Sequence, residues 1–193
     1  MRDGGAISGW KRELLRSHDR IAGLFARSEA RERILAYLHQ GLLSHCERKN
    51  GWQLAEWMGE AAAYRVQHLL DRARWDADAA RDQLRDYVVE ELHSPDAVLI
   101  ADETGFLKKG LHSVGVKRQY TGTAGRIENS QVGLFLCCAS NKGAALVDRE
   151  LYLPEGWAAD AERRGAAAVP EETEFATKPE LARRMIDWTM ISG

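Results

Sequence analysis

Residues Val98 to Gly110 read VLIADETGFLKKG. Four apolar residues run directly into two adjacent acids, Asp102 and Glu103, and then into a loop with a glycine, an aromatic and two lysines. A short apolar run bounded in this way predicts a strand buried on both faces. A carboxylate at the end of such a strand is well placed to hold a divalent cation, because the strand end is rigid and the loop leaves room for a substrate. Mg²⁺ takes oxygen ligands and needs only one or two protein carboxylates. Strand alternation sends Asp102 and Glu103 to opposite faces, so they are not a natural pair on one ion. Taken alone, the pair is read more simply, with one acid capping a turn and the other solvated.

The residues that follow shift that balance. Thr104 to Arg126 holds five cations, Lys108, Lys109, Lys117, Arg118 and Arg126, five glycines and no acid. Cations beside a candidate metal carboxylate suit a phosphodiester substrate: the basic groups neutralise the backbone and the metal activates the nucleophile. A solvated basic hairpin is the plainer alternative. Beyond it, SVGVKRQYTG, QVGLFLCCAS and AALVDRELYLP read as further strands, the last two joined by a hairpin turn at Asn141, Lys142 and Gly143. They predict three or four consecutive antiparallel strands. A polar connection, Glu155 to Glu174, leads to a closing helix with Thr177 as N-cap, Pro179 in its first turn and Leu181, Met185 and Trp188 on one face.

Upstream the pattern is helical, from about residue 9 to 93, and Pro95 ends it. Ser28 offers an N-cap to a helix carrying Ile34, Leu35, Leu38 and Leu42. Asp76 offers one to a helix striped by Ala80, Leu84, Tyr87, Val88 and Leu92. Between them, a helix from Trp52 to Met58, Gly59, and a second helix from about Ala61 to Ala73 trace the outline of a helix-turn-helix. Val66, Leu69 and Leu70 would bury one face, leaving Arg65, Gln67, His68, Arg72 and Arg74 outward, and Arg and Gln suit phosphates and base edges. An ordinary helical hairpin with a solvated face fits the same residues. The chain thus divides into a helical region, 1–93, and a strand region, 94–193.

Composition sets outer limits. With 193 residues, 45% of them hydrophobic, the chain can bury a real core. A net charge of −2 supplies no global field for a polyanion, so any nucleic-acid surface must be local. Three cysteines without a CxxC spacing argue against a disulfide framework and against zinc, and fit a reducing cytoplasm. No apolar run approaches membrane-spanning length.

Several long stretches carry a family resemblance. ADETGFLKKG, HSVGVKRQYTGTAGRIENSQVGLFL, LVDRELYLPEGW and EFATKPELARRM resemble the DDE transposases of bacterial insertion sequences, in the group whose catalytic region is a DDE superfamily endonuclease. RKNGWQLAEWMGE and QHLLDRARWDADAARDQLRDYVVEEL resemble the helical region that precedes that core, and the match runs from about Phe25 to Ile186 in family order. The resemblance implies an α+β chain: a helical region, read above from its own outline as helix-turn-helix-like and DNA-binding, then the first strands of a ribonuclease H-like mixed sheet. It implies that Asp102 is the first catalytic acid and a Mg²⁺ ligand, with Glu103 facing away; the DNA would be bound by the cations and amide read above, Lys108, Lys109, Lys117, Arg118, Arg126, Arg65, Gln67 and Arg72. In such enzymes three carboxylates hold two Mg²⁺ ions for in-line attack on phosphorus.

The chain also departs from that pattern. The family's second Asp lies on the strand after the helix that begins near Lys178, and the Glu later still, whereas this chain stops at Gly193 with a divergent DWTMISG tail. Asp148 precedes that helix and does not substitute. The expectation is a truncated N-terminal portion, with one of three carboxylates and no activity of its own. The alternative is a DNA-binding module that occupies element ends, joins intact transposase subunits or a homodimer, and inhibits. A decayed remnant is the third reading. On any of these the sheet keeps an uncovered face, with VGLFLCCA partly exposed.

Overall fold

The computed structural model of the chain describes residues 4–192. Helices come first: α1 (Gly4–Ala22), α2 (Ser28–Ala36) running on into a π-helical turn at Tyr37–Leu42, α3 (Gly51–Trp57), α4 (Tyr64–Asp71) and α5 (Ala77–Leu92). By contacts the chain divides into two units, Met1–Gln83 and Leu84–Gly193, so the division falls inside α5. The sequence pattern changes later, at Ser94, but the second half of α5 already places Val88 and Leu92 in the core of the second unit.

Among the described residues of the first unit, the buried hydrophobic side chains are Phe25, Leu54, Ala55, Ala63, Val66 and Leu69. The Phe25 ring stacks on Trp75 at 5.3 Å. Asn50 caps α3, its Oδ1 accepting the Trp52 and Gln53 N–H groups at 3.1 and 3.0 Å. Gly59 then ends the helix at φ 73°, the left-handed conformation that glycine adopts without strain. Three expectations need correcting here. Ser28 is the first helical residue, not the cap, which is Arg27 without a side-chain bond. Helix α2 buries no residue fully, because the core is built by α3 and α4 instead. Helix α4 is shorter than expected, residues 61–63 being turn, and Leu70 is exposed while Val66 and Leu69 are buried.

The second unit is organised around one long strand. β1 (Val98–Leu107), β2 (Lys117–Thr121), β3 (Arg126–Ser140) and β4 (Gly143–Leu151) form a four-stranded sheet in which β1, β2 and β4 each pair antiparallel with β3. The mixed sheet that the resemblance implies is therefore antiparallel throughout the described residues. The turn at residues 141–142 was legible in the sequence. Gly143, the first residue of β4, takes φ 150°, which favours glycine. β1 is not buried on both faces: it lies at the sheet's edge, and Val98, Ile100, Phe106 and Leu107 are exposed. An apolar run reports a preference for the strand state but not the strand's place in the sheet.

Burial follows alternation along β3. Leu134, Leu136 and Cys138 are buried with Val147 of β4, Val88 of α5, and Leu181 and Met185 of α8 (Lys178–Ser192), while Phe135 and Cys137 between them are half-buried. Each such Leu stabilises the fold by about 1.5–3 kcal/mol relative to exposure. The VGLFLCCA segment is thus covered on one face and open on the other. The α5 stripe is rotated from expectation: Leu84 is half exposed, and Arg85 is buried with its guanidinium 5.7 Å from the Trp188 ring. The connection after β4 contains two short helices, α6 (Glu155–Ala158) and α7 (Ala161–Ala166). Asp76 and Thr177 cap α5 and α8 as their positions predict, Asp76 through Oδ1 to the Asp78 and Ala79 N–H groups.

Candidate functional site

The register of β1 on β3 decides where the two acids go. Asp102 stands opposite Phe135, and Glu103 opposite Leu134. Leu134 is buried under α5 and α8, so Glu103 lies on the helix-covered face and Asp102 on the open one. Glu103 Oε2 is 2.6 Å from Lys178 Nζ at the start of α8, and the same ammonium lies 5.4 Å from the centre of the Tyr152 ring. Asp102 is exposed, and its Oδ1 accepts the N–H of Glu103 at 2.8 Å. Its face also carries the exposed Val98, Ile100, Phe106, Leu146 and Leu151. Phe106 meets Phe135 edge to face at 6.2 Å.

Asp148 is opposite Leu136 and buried, which puts it on the Glu103 side of the sheet. Asp102 and Asp148 therefore do not share a face. Among the described residues no group of three or more His, Cys, Asp or Glu side chains could hold a metal ion. Asp102 alone could offer one carboxylate to a divalent cation. The residues described do not make up a three-carboxylate, two-metal centre.

The basic residues are sorted by the same alternation. The Lys108 N–H donates to Asn129 O at 2.9 Å, extending the β1 ladder by one residue, and Arg118 of β2 stands opposite Asn129 on its other side. Lys108, Asn129 and Arg118 thus form one row, and by register that row shares the face of Asp102. Lys117 and Arg126 stand opposite Ser130 and Thr121 on the other face, and Arg126 is partly neutralised by Glu128 at 2.8 Å. Lys109 is exposed in the loop. Six residues of strand separate Asp102 from Lys108. That is about 20 Å, or the rise of roughly six nucleotides in one strand.

Four residues that the sequence reading passed over hold this basic loop in shape. Asn129 Nδ2 donates to the carbonyls of Lys108 and Gly110 at 2.7 and 2.8 Å, and Gln131 Nε2 donates to Val114 O at 2.7 Å. Trp157 is buried and its indole N–H donates to Val116 O at 2.8 Å. The Arg163 guanidinium lies 3.8 Å from the centre of the Trp157 ring and donates to Leu111 O at 2.9 Å. The alternating amides in Glu128-Asn129-Ser130-Gln131 were the only sequence signal for any of these contacts. Arg163 and Trp157 act across more than forty residues and left none.

In the first unit Arg65, Gln67 and Arg72 are exposed. Arg65 lies 3.5 Å from Glu60, which also pairs with Arg33, and Arg72 lies 3.7 Å from Asp71. Residues 58–63 separate α3 from α4, a longer connection than the turn of about three or four residues usual in a helix-turn-helix. A recess of about 360 Å³ lies along α4 at Tyr64, Gln67, His68, Leu70, Asp71 and Arg72, facing Gly51. Among the described residues, no helix is long and apolar enough to cross a membrane.

Comparison with known proteins bears on both units. A family model described as DDE superfamily endonuclease matches residues 20–193. A curated protein of Microchaete diplosiphon, "Probable transposase for insertion sequence element IS701", is 34% identical over 98 residues, covering 51% of this chain and 26% of that protein. The chain therefore matches only about a quarter of the length of this relative. No solved structure matches.

Proposed function

Since this chain belongs to the DDE superfamily endonuclease family, we propose that it serves DNA transposition by holding DNA, with Asp102 as the first acid of a catalytic centre whose remaining ligands the described residues do not supply. One observation carries this reading. Asp102 stands open on the face that also bears Lys108 and Arg118, while its neighbour Glu103 is engaged by Lys178 on the other face. A phosphodiester backbone lying along that face would meet cations first and the carboxylate at the end of the track.

The antiparallel β1–β3–β4 arrangement, with the acid on β1, supports reading the sheet as the start of a ribonuclease H-like domain. The divalent ions that such endonucleases generally use would find a single open carboxylate here, so no cleavage step is assigned to these residues. In this reading the chain binds DNA through Lys108, Lys109, Lys117, Arg118 and Arg126 in the second unit and Arg65, Gln67 and Arg72 in the first, without cutting it. A chain that holds element ends in this way, alone or joined to intact transposase subunits, would act as an inhibitor.

The test is a binding titration and a nicking assay on the same labelled duplex, with Mg²⁺ and with Mn²⁺. Salt-sensitive binding without nicking is expected. Nicking that disappears in Asp102→Ala would overturn the non-cleaving part, and absence of binding at low salt would overturn the whole reading.

A further inference from the structure

The recess on α4 has the chemistry of a nucleobase site. Tyr64, Gln67, His68 and Asp71 recur at the helical spacing that sets them in one row along α4, and all four line the recess. Tyr64 is 60% exposed, and its ring lies 5.8 Å from the His68 ring, tilted by 49°. Flat rings at the mouth of a recess present stacking faces that every base can use. Beside them on the same helix face stand an exposed amide, Gln67, and an exposed carboxylate, Asp71, which between them can donate to and accept from a base edge. Arg72, exposed and 3.7 Å from Asp71, closes the row with a cation that can turn to the attached phosphate.

Gly51 explains why this is a recess and not a ridge. A Cβ on residue 51 would stand 3.2 Å from Gln67 Cγ, so the start of α3 approaches α4 closely beside the exposed Gln67. A helix that reads paired bases must push its side chains out into the major groove. Here α4, with eight residues, is only about 12 Å long. A base that has left the stack can instead enter the recess that Gly51, Tyr64 and Gln67 line.

We propose that the α4 recess binds one unstacked nucleobase of a DNA strand, stacked on Tyr64 and His68 with its edge on Gln67 and Asp71. The proposal rests on the DNA-binding reading above, and replaces base reading by α4 in the groove of an intact duplex.

The test compares three probes on the full chain: a fully paired duplex, the same duplex with one unpaired base, and a free deoxynucleoside monophosphate. The expected result is roughly tenfold tighter binding of the duplex with the unpaired base, as one base stacked on an aromatic ring supplies. Tyr64→Ala should abolish that preference and leave binding of the paired duplex unchanged, while Tyr64→Phe should keep it. Equal binding of the two duplexes, or a preference that survives in a Tyr64→Ala, His68→Ala double variant, would overturn the proposal. Binding of the free nucleotide as tight as that of the unpaired-base duplex would overturn a DNA strand as the source. Failure to bind even the paired duplex at low salt would instead count first against the DNA-binding reading. Because Tyr64 is mostly exposed, circular dichroism of Tyr64→Ala should match the parent.

Discussion

Glu103 Oε2 lies 2.6 Å from Lys178 Nζ, on the sheet face opposite the one that bears Asp102. Two adjacent acids therefore have separate employment: Glu103 tethers the start of α8 to β1, and Asp102 is left open. Both partners of the pair are partly exposed, so its worth is about 0–1 kcal/mol. Glu103→Gln should lower stability by no more than that, and Asp102→Asn should change it by less than about 0.5 kcal/mol. Chemical denaturation of the two variants checks both. A large loss on Asp102→Asn would mean that the carboxylate is structural.

Gly105 should not tolerate a side chain. A Cβ there would stand 1.7 Å from Thr121 Oγ1 and 2.6 Å from Thr121 Cβ, and Thr121 is buried. The contact brings the end of β2 against β1 near its C-terminal end. Gly105→Ala must push the β2–β3 hairpin away, at an expected cost of about 1–3 kcal/mol. Gly105→Ala in a Thr121→Gly background should recover part of it, which a thermal melt of the three variants would show.

The loop that carries Lys108 to Arg118 should depend on residues far from it in sequence. Arg163→Ala removes the guanidinium over Trp157 and its bond to Leu111 O. Amide hydrogen exchange should then speed up from Leu111 to Val116, with little change in β3. DNA affinity should fall with the salt slope nearly unchanged if Arg163 only shapes the loop.

Phosphate contacts should be separable by salt. Lys108→Ala and Arg118→Ala, on the face of Asp102, should each lower the slope of log K against log salt by about one unit. Arg126→Ala should have a smaller effect, because Glu128 already offsets that charge. Titrations at several salt concentrations give the slopes directly.

Acid should loosen α8 at its first turn. The Glu180 carboxyl is held below the usual carboxylate range by the Thr177 backbone N–H, at 2.7 Å, and then by the Thr177 hydroxyl. A depressed pKa in the folded state means that the stabilisation is present above the unfolded value, about 4.3, and is lost as pH falls through the lower folded value. Glu180→Gln should remove this part of the acid sensitivity. Helix content of parent and variant followed from neutral to acid pH would reveal it, and identical profiles would contradict the capping-box role.

What the sequence by itself determined was local. The caps at Asn50, Asp76 and Thr177 need only a side chain and N–H groups two or three residues on. The turn at Asn141 and Lys142 needs only its own residues, and the alternation that parts Asp102 from Glu103 is a property of any extended chain. The tertiary structure decided everything that depends on which element becomes whose neighbour. VLIA reads as an interior strand, yet it became the edge, because β3 is long enough to take partners on both sides. Leu84 reads as core, yet Arg85 is buried, because the position of α8 sets which side of α5 is covered. Lys108 and Arg118 joined the face of Asp102, while Lys117 and Arg126 did not, because pairing register couples residues that the sequence keeps apart. The recess at Gln67 exists because Gly51 lets two helices approach. Backbone hydrogen bonds and caps act within a few residues, whereas burial and shared faces are set by contacts that form only when the whole chain has closed on itself.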